Sequence, residues 1–121
     1  MRPAIDPRGE RGRAGEDATL RAYEACGFRI VARNWRSRIG ELDLVLERGG
    51  LLVFCEVKTR SGSAFGGGYE AVTRTKQRKL RQLGDAFLQT VRPPHARIRF
   101  DVASVRLGPR GPEVELFEDA F

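Results

Sequence analysis

The sequence is poor in the residues that build most metal and thiol sites. It holds one histidine, His95, and two cysteines, Cys26 and Cys55, among 121 residues. His95 follows two prolines in an expected loop, and neither cysteine has a second ligand at zinc-site spacing, which argues against zinc and Cys-His chemistry. The cysteines are far apart, each in an apolar stretch, so we expect buried free thiols. Carboxylates remain the candidates for catalysis.

Long apolar runs and phosphate-binding loops are also missing. No stretch approaches the ~20 apolar residues of a membrane span, and the N-terminus lacks the apolar segment of a signal peptide. Residues 61–70 are rich in glycine but match no phosphate-loop pattern, and we expect them to order on binding. The sequence therefore predicts a cytoplasmic protein with no membrane partner. We expect a disordered arm over residues 1–12 and a single domain over 13–121.

The chain is rich in charged residues, and basic ones are in excess. It carries 22 basic and 16 acidic residues, for a net charge of +6, and its isoelectric point is about 10.1. This balance favours an anionic partner, with nucleic acid as the leading candidate. Ribosomal or membrane-surface association would give the same net charge.

The middle of the chain predicts a hairpin with opposed acids. Two apolar runs flank Gly49-Gly50, which can form a type I′ turn. The register set by this turn places Asp43 opposite Glu56, and Glu41 opposite Lys58. Carboxylates about 5 Å apart repel by roughly 3 kcal/mol at an effective dielectric of ~20. The lysine can offset part of that repulsion, and a divalent cation could offset more.

The two faces of this predicted hairpin differ. One is apolar throughout and is expected to face the core: Leu42, Leu44, Leu46, Leu51, Val53, Cys55 and Val57. The other places Val45 and Phe54 beside the acids, so we expect a helix to cover part of it. The alternative is an ordinary half-exposed hairpin, which shows the same alternation of charged and apolar residues.

Two helices are predicted around the hairpin. The first spans about 14–26, ends at Gly27, and carries Glu16 on the edge of its buried face. That acid points toward the sheet, although an acid in a first turn also stabilises the helix dipole. The second begins after Thr73 and ends near Val91. Its basic start suits phosphate contact or a solvated face: Arg74, Lys76, Arg78, Lys79 and Arg81.

The remaining strands complete the architecture. Alternating patterns predict strands over 28–33 and 97–105, and a short edge strand over 114–117. Trp35 is expected to pack rather than to stack on a base, and Asp101 is expected to pair with Arg99 or Arg97, or else to support the site. The element order is α-β-β-β-α-β, an α/β fold with a mixed sheet flanked by helices.

These residues resemble a known superfamily. Asp43 followed by Glu56-Val57-Lys58 resembles the PD-(D/E)xK signature of nucleases, and the element order is their restriction-endonuclease-like core. More closely, residues 13–121 are similar to the bacterial YraN-type family. The segments that carry this similarity are Gly15-Glu16-Asp17, Asn34-Trp35-Arg36, 40–44, 53–60, Phe65-Gly66, 70–72, 76–80 and 99–102.

The resemblance implies a Mg²⁺- or Mn²⁺-dependent DNA endonuclease near the Holliday-junction resolvases. Such an enzyme would be structure-selective or non-specific and would act in repair or recombination. Asp43, Glu56 and Glu16 would be the metal ligands, and Lys58 would position or activate the attacking water. We expect the DNA backbone to be held by Arg60, Arg74, Lys76, Gln77, Arg78 and Lys79.

Two departures from the superfamily pattern accompany these expectations. Leu42 replaces the motif proline, and Gln77 is followed by Arg81 where some nucleases carry tyrosine, which puts the role of Gln77 in doubt. A catalytically silent nucleic-acid-binding module of the same fold is the alternative, and a structural partner in a nucleoprotein complex is a third. Junction-cutting relatives act as symmetric dimers, so a homodimer is also an expectation.

Overall fold

A computed structural model describes residues 7–61 and 72–121 of the chain. The described elements are α1 (Pro7–Ala25), β1 (Arg29–Ser37), β2 (Gly40–Arg48), β3 (Leu51–Ser61), α2 (Arg74–Val91), β4 (Arg97–Gly108) and β5 (Gly111–Phe117). This order confirms the predicted series, with β5 as the expected edge strand. Most of the glycine-rich segment over 61–70 lies outside the described residues.

The five strands form one mixed sheet in the order β1-β2-β3-β4-β5. β3 and β4 run parallel, whereas the other three neighbouring pairs are antiparallel. A parallel pair needs a crossover connection, and the segment containing α2 supplies it. The mixed sheet with flanking helices is therefore confirmed.

The hairpin turn between β2 and β3 is also as predicted. Gly49 and Gly50 have φ values of 55° and 83°, as the two central residues of a type I′ turn require. Pairing begins with Arg48 opposite Leu51, and the last pair before the acids is Leu44 opposite Cys55.

The ladder stops short of the acids. The predicted pairs of Asp43 with Glu56 and of Glu41 with Lys58 do not occur in it. The side chain of Asp43 takes the place of a backbone acceptor, because its Oδ2 accepts the N–H of Val57 at 2.8 Å. The two strands separate where the site residues begin.

Each face of the sheet is covered by one helix. The layer with α1 buries Tyr23, Phe28, Leu44, Leu46, Leu51, Val53, Cys55 and Ala103. The layer with α2 buries Leu42, Val45, Leu52, Phe54, Val72, Leu80, Leu83, Phe87, Phe100 and Val102. The expected helix cover over Val45 and Phe54 is thus confirmed. The placement of Leu42 with Leu44 is wrong, since the two pack in opposite layers.

The backbone of Asn34 explains why Leu42 changes face. Asn34 has a left-handed φ of 52°, which breaks the alternation of side chains along β1. Arg33 therefore reaches an acid of α1, while Trp35 packs edge-on against an aromatic ring of α2. The paired strand changes face at the same point, because Leu44 lies opposite Arg33 and Leu42 opposite Trp35.

The first helix is longer than its sequence suggests. It begins at Pro7 instead of near residue 14, so residues 7–12 of the expected disordered arm are helical, and residues 1–6 lie outside the described part. Proline suits a first helical position, whose N–H has no helical acceptor. Gly27 follows the helix with a φ of 88°. Both cysteines are free, but Cys26 is exposed and only Cys55 is buried.

The second helix matches its prediction closely. Thr73 is the N-cap and accepts the N–H of Lys76, and Arg92 ends the helix in a left-handed conformation. Val91, expected in the buried stripe, is 45% exposed because it lies in the last turn. Over the described ranges, no helix is both long and apolar enough to cross a membrane.

Candidate functional site

Three carboxylates converge where β2 and β3 separate. Glu16 from α1 meets Glu41 and Asp43 from β2, with one oxygen of each lying within 4.8 Å of the others. Glu16 is buried, whereas Glu41 and Asp43 are half-buried. The predicted approach of Glu16 to Asp43 is confirmed. We call Glu16, Glu41 and Asp43 the acidic cluster.

Close packing of α1 on β3 brings Glu16 to this position. A Cβ on Gly15 would lie 1.9 Å from Oγ1 of Thr59. Only a residue without a side chain allows the helix to approach the strand so closely. Glycine at position 15 therefore sets how near the following acid comes to the sheet.

Asn34 holds the cluster together. Its Nδ2 donates to Oε2 of Glu16 and to Oε1 of Glu41, both at 3.0 Å. Asparagine adopts the left-handed conformation more readily than most residues, so the strand irregularity and the bridge come from one side chain. Strain of this kind collects at functional sites.

Basic side chains neutralise part of the cluster. Arg33 donates to Oε1 of Glu16 at 3.1 Å and to Asp17 at 2.7 Å. Arg36 donates to Oε2 of Glu41 at 2.9 Å. Each oxygen of a carboxylate can accept more than one bond, so these contacts leave capacity for a further ligand.

The pKa of Asp43 lies well above that of an ordinary aspartate. Burial, followed by the charge of Glu56 and with smaller contributions from Glu16 and Glu41, raises the pKa of Asp43 to about 7. The hydrogen bond from Val57 opposes that rise. Asp43 therefore changes charge near neutral pH, which is typical of groups at functional sites.

Glu56 and Lys58 lie beside the cluster on β3. Glu56 is not one of the three clustered acids, and its Oε1 instead lies 3.4 Å from Nζ of Lys76 on α2. Val57 packs in the α1 layer, so alternation directs its two neighbours toward α2. Lys58 lies opposite Ser104 of β4. Asp43 is thus the member of the acidic cluster whose pKa the charge of Glu56 raises.

The predicted DNA-contacting residues divide into two groups. Arg74 and Arg78 line an open cleft of about 400 Å³, and Arg78 and Lys79 line a second of about 510 Å³. Gln77 also lines the first cleft, and its Nε2 donates to the Val72 carbonyl at 2.8 Å. Lys76 instead pairs with an acid, and Arg60 lies opposite Arg106 of β4.

Sequence reasoning missed three members of the site. It gave no role to Asn34 or Arg33 and treated Glu41 only as a partner of Lys58. Asn34, directly after the strand predicted over 28–33, was the available signal, because asparagine is depleted in strands and enriched at left-handed positions.

Fold and site together define a mixed α/β protein with an acidic cluster at the open end of a hairpin. Residues 15–105 match the family described as Uncharacterised protein family UPF0102. That range contains Glu16, Asp43, Glu56 and Lys58. The chain belongs to the UPF0102 family, in agreement with its resemblance to YraN-type proteins.

Relatives align over nearly the whole chain. A UPF0102 protein from Frankia alni is 50% identical over 113 residues, covering 91% of this chain and 92% of the relative. One from Rhodococcus jostii is 46% identical over 112 residues, covering 91% and 94%. One from Dictyoglomus thermophilum is 40% identical over 102 residues, covering 84% and 86%.

Proposed function

We propose that this protein is a divalent-metal-dependent DNA endonuclease with a restriction-endonuclease-like core. The observation that carries the proposal is the meeting of Glu16 and Asp43, with Glu41, beside the strand that bears Glu56 and Lys58. Glu16 comes from α1 and the other two acids from β2, and carboxylates brought this close repel unless cations or hydrogen-bond donors offset their charge. A DNA substrate is supported by the net charge of +6 and the basic start of α2.

The topology supports the proposed core. Three antiparallel strands precede α2, and the strand after α2 pairs in parallel with β3. This arrangement places the Glu56-to-Lys58 segment on a central strand with a helix over each face. The resemblance in sequence motifs and the element order thus point to the same superfamily.

The residues fit a magnesium ion. Carboxylate oxygens are ligands that Mg²⁺ prefers. Each of the three acids offers one oxygen, and these oxygens lie within 4.8 Å of one another. The pKa of Asp43, raised first by burial and then by the charge of Glu56, fits as well, because a nearby cation would favour the ionised carboxylate. Glu16, Glu41 and Asp43 would hold the ion, and Glu56 lies near enough to Asp43 to affect its charge.

A Mg²⁺ ion held by these acids would polarise the phosphate and activate a water molecule. The chain's own residues do the rest. Asn34 keeps Glu16 and Glu41 oriented, and Asp43 must lose its proton before it can act as a ligand. The ammonium group of Lys58 would stabilise the negative charge that develops on the reacting phosphate. Cations of α2 hold the backbone without reading bases.

Cleavage assays with matched variants test the proposal. Wild-type protein is expected to cut branched or single-stranded DNA in Mg²⁺ or Mn²⁺. Asp43→Asn and Lys58→Ala should lose cleavage but keep DNA binding, and isothermal calorimetry should show that Asp43→Asn binds Mg²⁺ more weakly. The control is Glu113→Gln, because Glu113 is an exposed acid of β5 whose ion pair with Arg106 is also exposed and so contributes little.

The alternative is a catalytically silent DNA-binding module. It is favoured by the ion pairs that already neutralise acids of the site, Glu16 with Arg33 and Glu56 with Lys76. Under this alternative, DNA binding depends steeply on salt, no DNA structure is cut, and calorimetry detects no divalent ion. That set of results would replace the nuclease proposal.

A further inference from the structure

The turn between β1 and β2 carries an exposed apolar tip. Ile39 is 42% exposed, as is Ile98 of β4, although isoleucine is more often buried. Ser37 braces the turn, because its hydroxyl accepts the N–H of Ile39 at 3.3 Å. This hydrogen bond helps to hold the turn that presents Ile39 at the surface.

Ile39 lines two clefts. The first, of about 510 Å³, runs along α2 and is lined by Ile39, Thr75, Arg78, Lys79 and Gln82. The second, of about 470 Å³, runs along the turn and is lined by Arg36, Ser37, Arg38, Ile39, Gly40 and Glu41. Glu41, a member of the acidic cluster, is among the residues that line the second cleft. A ligand lying across Ile39 would extend from α2 to the cluster.

Contact with α2 fixes the tip in place. A Cβ on Gly40 would lie 3.2 Å from Cε of Lys79 and 3.4 Å from a methyl group of Leu83. Gly40 also has a φ of 152°, which other residues rarely adopt. The turn and the helix thus form one continuous surface.

The charge around the tip is strongly positive. Arg38, Arg78 and Lys79 are exposed, and among the described residues none of the three makes an ion pair. The first nine residues of α2, positions 74–82, contain five basic side chains and no acidic one. A polyanion with accessible apolar surface is the complementary ligand.

We propose that Ile39 is a wedge that packs against an unstacked base of branched DNA while Arg38, Arg78 and Lys79 hold the flanking phosphates. Intact duplex hides the faces of its bases, whereas a branch point exposes them. Apolar side chains inserted at base steps are an established way to hold distorted DNA. This inference deepens the proposed nuclease function and rests on it for the choice of DNA. Under this proposal, Ile39 is the residue that distinguishes branched DNA from intact duplex.

Binding without metal tests the wedge independently of cleavage. Fluorescence anisotropy in EDTA would compare a four-way junction with a duplex of the same sequence. Ile39→Ala should weaken junction binding roughly tenfold and duplex binding less than twofold. Val91→Ala is the matched control, since Val91 is equally exposed but lies at the other end of α2.

The cations should behave differently from the wedge. Arg38→Ala and Lys79→Ala should weaken junction and duplex alike, and each should reduce the slope of log affinity against log salt by about 0.9. A 2-aminopurine base at the branch point should brighten on binding wild-type protein and respond less to Ile39→Ala.

Several outcomes would overturn the inference. One is a junction preference that survives in Ile39→Ala, and another is equal affinity of wild-type protein for junction and duplex. Tighter binding of single-stranded or structured RNA than of the junction would assign the surface to RNA. Self-association that Ile39→Ala abolishes would assign it to a second copy of this chain. A different result would separate the two proposals. If Ile39→Ala loses the junction preference but no variant cleaves DNA, the wedge proposal stands and the nuclease proposal fails.

Discussion

Replacing Asp43 with asparagine should stabilise the protein at neutral pH. The ordinary carboxyl pKa of 3.8 rises to about 7 in the folded protein. At about 1.36 kcal/mol per pH unit, ionised Asp43 costs on the order of 4 kcal/mol of folding free energy. Asparagine removes that cost while its amide oxygen can still accept the Val57 N–H.

The pH dependence follows from the direction of the pKa change. A raised pKa means that the folded state holds the proton more tightly than the unfolded chain does. The cost is therefore absent below about pH 4, grows as the pH rises from about 4 to about 7, and is constant above that. Asp43→Asn should match the wild type near pH 4 and exceed it most at pH 8.

Urea unfolding in the absence of divalent ions measures this difference. Trp35 is the single tryptophan and packs 5.3 Å from the ring of Phe87, so its fluorescence should report loss of the core. With a urea slope of about 2 kcal/mol per molar, the midpoint of Asp43→Asn at pH 8 should rise by roughly 1–2 M. Glu113→Gln should leave the midpoint nearly unchanged at both pH values.

Two results would refute this reasoning. Asp43→Asn could be less stable than the wild type at pH 8, which would mean that the carboxylate is already compensated within the protein. The difference could also be the same at pH 4.5 and pH 8, which would mean that Asp43 does not titrate in this range.

Three further substitutions test the packing around the site by urea or thermal unfolding. Asn34→Ala should cost about 2 kcal/mol, from left-handed strain and lost hydrogen bonds, and Asn34→Gly less; equal losses would argue against strain. Gly15→Ala should cost about 1–3 kcal/mol by collision with Thr59, and Thr59→Ala should recover part of the loss; an unchanged midpoint for Gly15→Ala would contradict the close approach. Arg99→Ala should cost about 3–5 kcal/mol, because it leaves fully buried Asp101 without two hydrogen bonds of 2.8 Å. A loss below about 1 kcal/mol would show that Asp101 does not depend on Arg99.

The elements with strong local signals were predictable. The glycine pair determined the hairpin turn and its register as far as Leu44, because a type I′ turn leaves no freedom in the pairing next to it. Thr73 and the apolar stripe predicted α2, and the expected pairing of Asp101 with Arg99 is confirmed.

Errors arose where a distant contact overrides the local pattern. Counting residues along a regular strand placed Leu42 with Leu44 and paired Asp43 with Glu56. The left-handed Asn34 invalidates that count, and its side chain bridges acids of α1 and β2. The alternation of residues along a predicted strand does not reveal such long-range contacts.

The sequence by itself determined the identity of the acids and the lysine, the order of the elements and the positive charge that favours an anionic partner. Only the tertiary structure decided which acids meet. Glu41 joins Glu16 and Asp43 because β1 and β2 change face together at Asn34, and Glu56 turns toward Lys76 of α2. These contacts join residues far apart in the chain, so their geometry exists only once both helices have packed on the sheet.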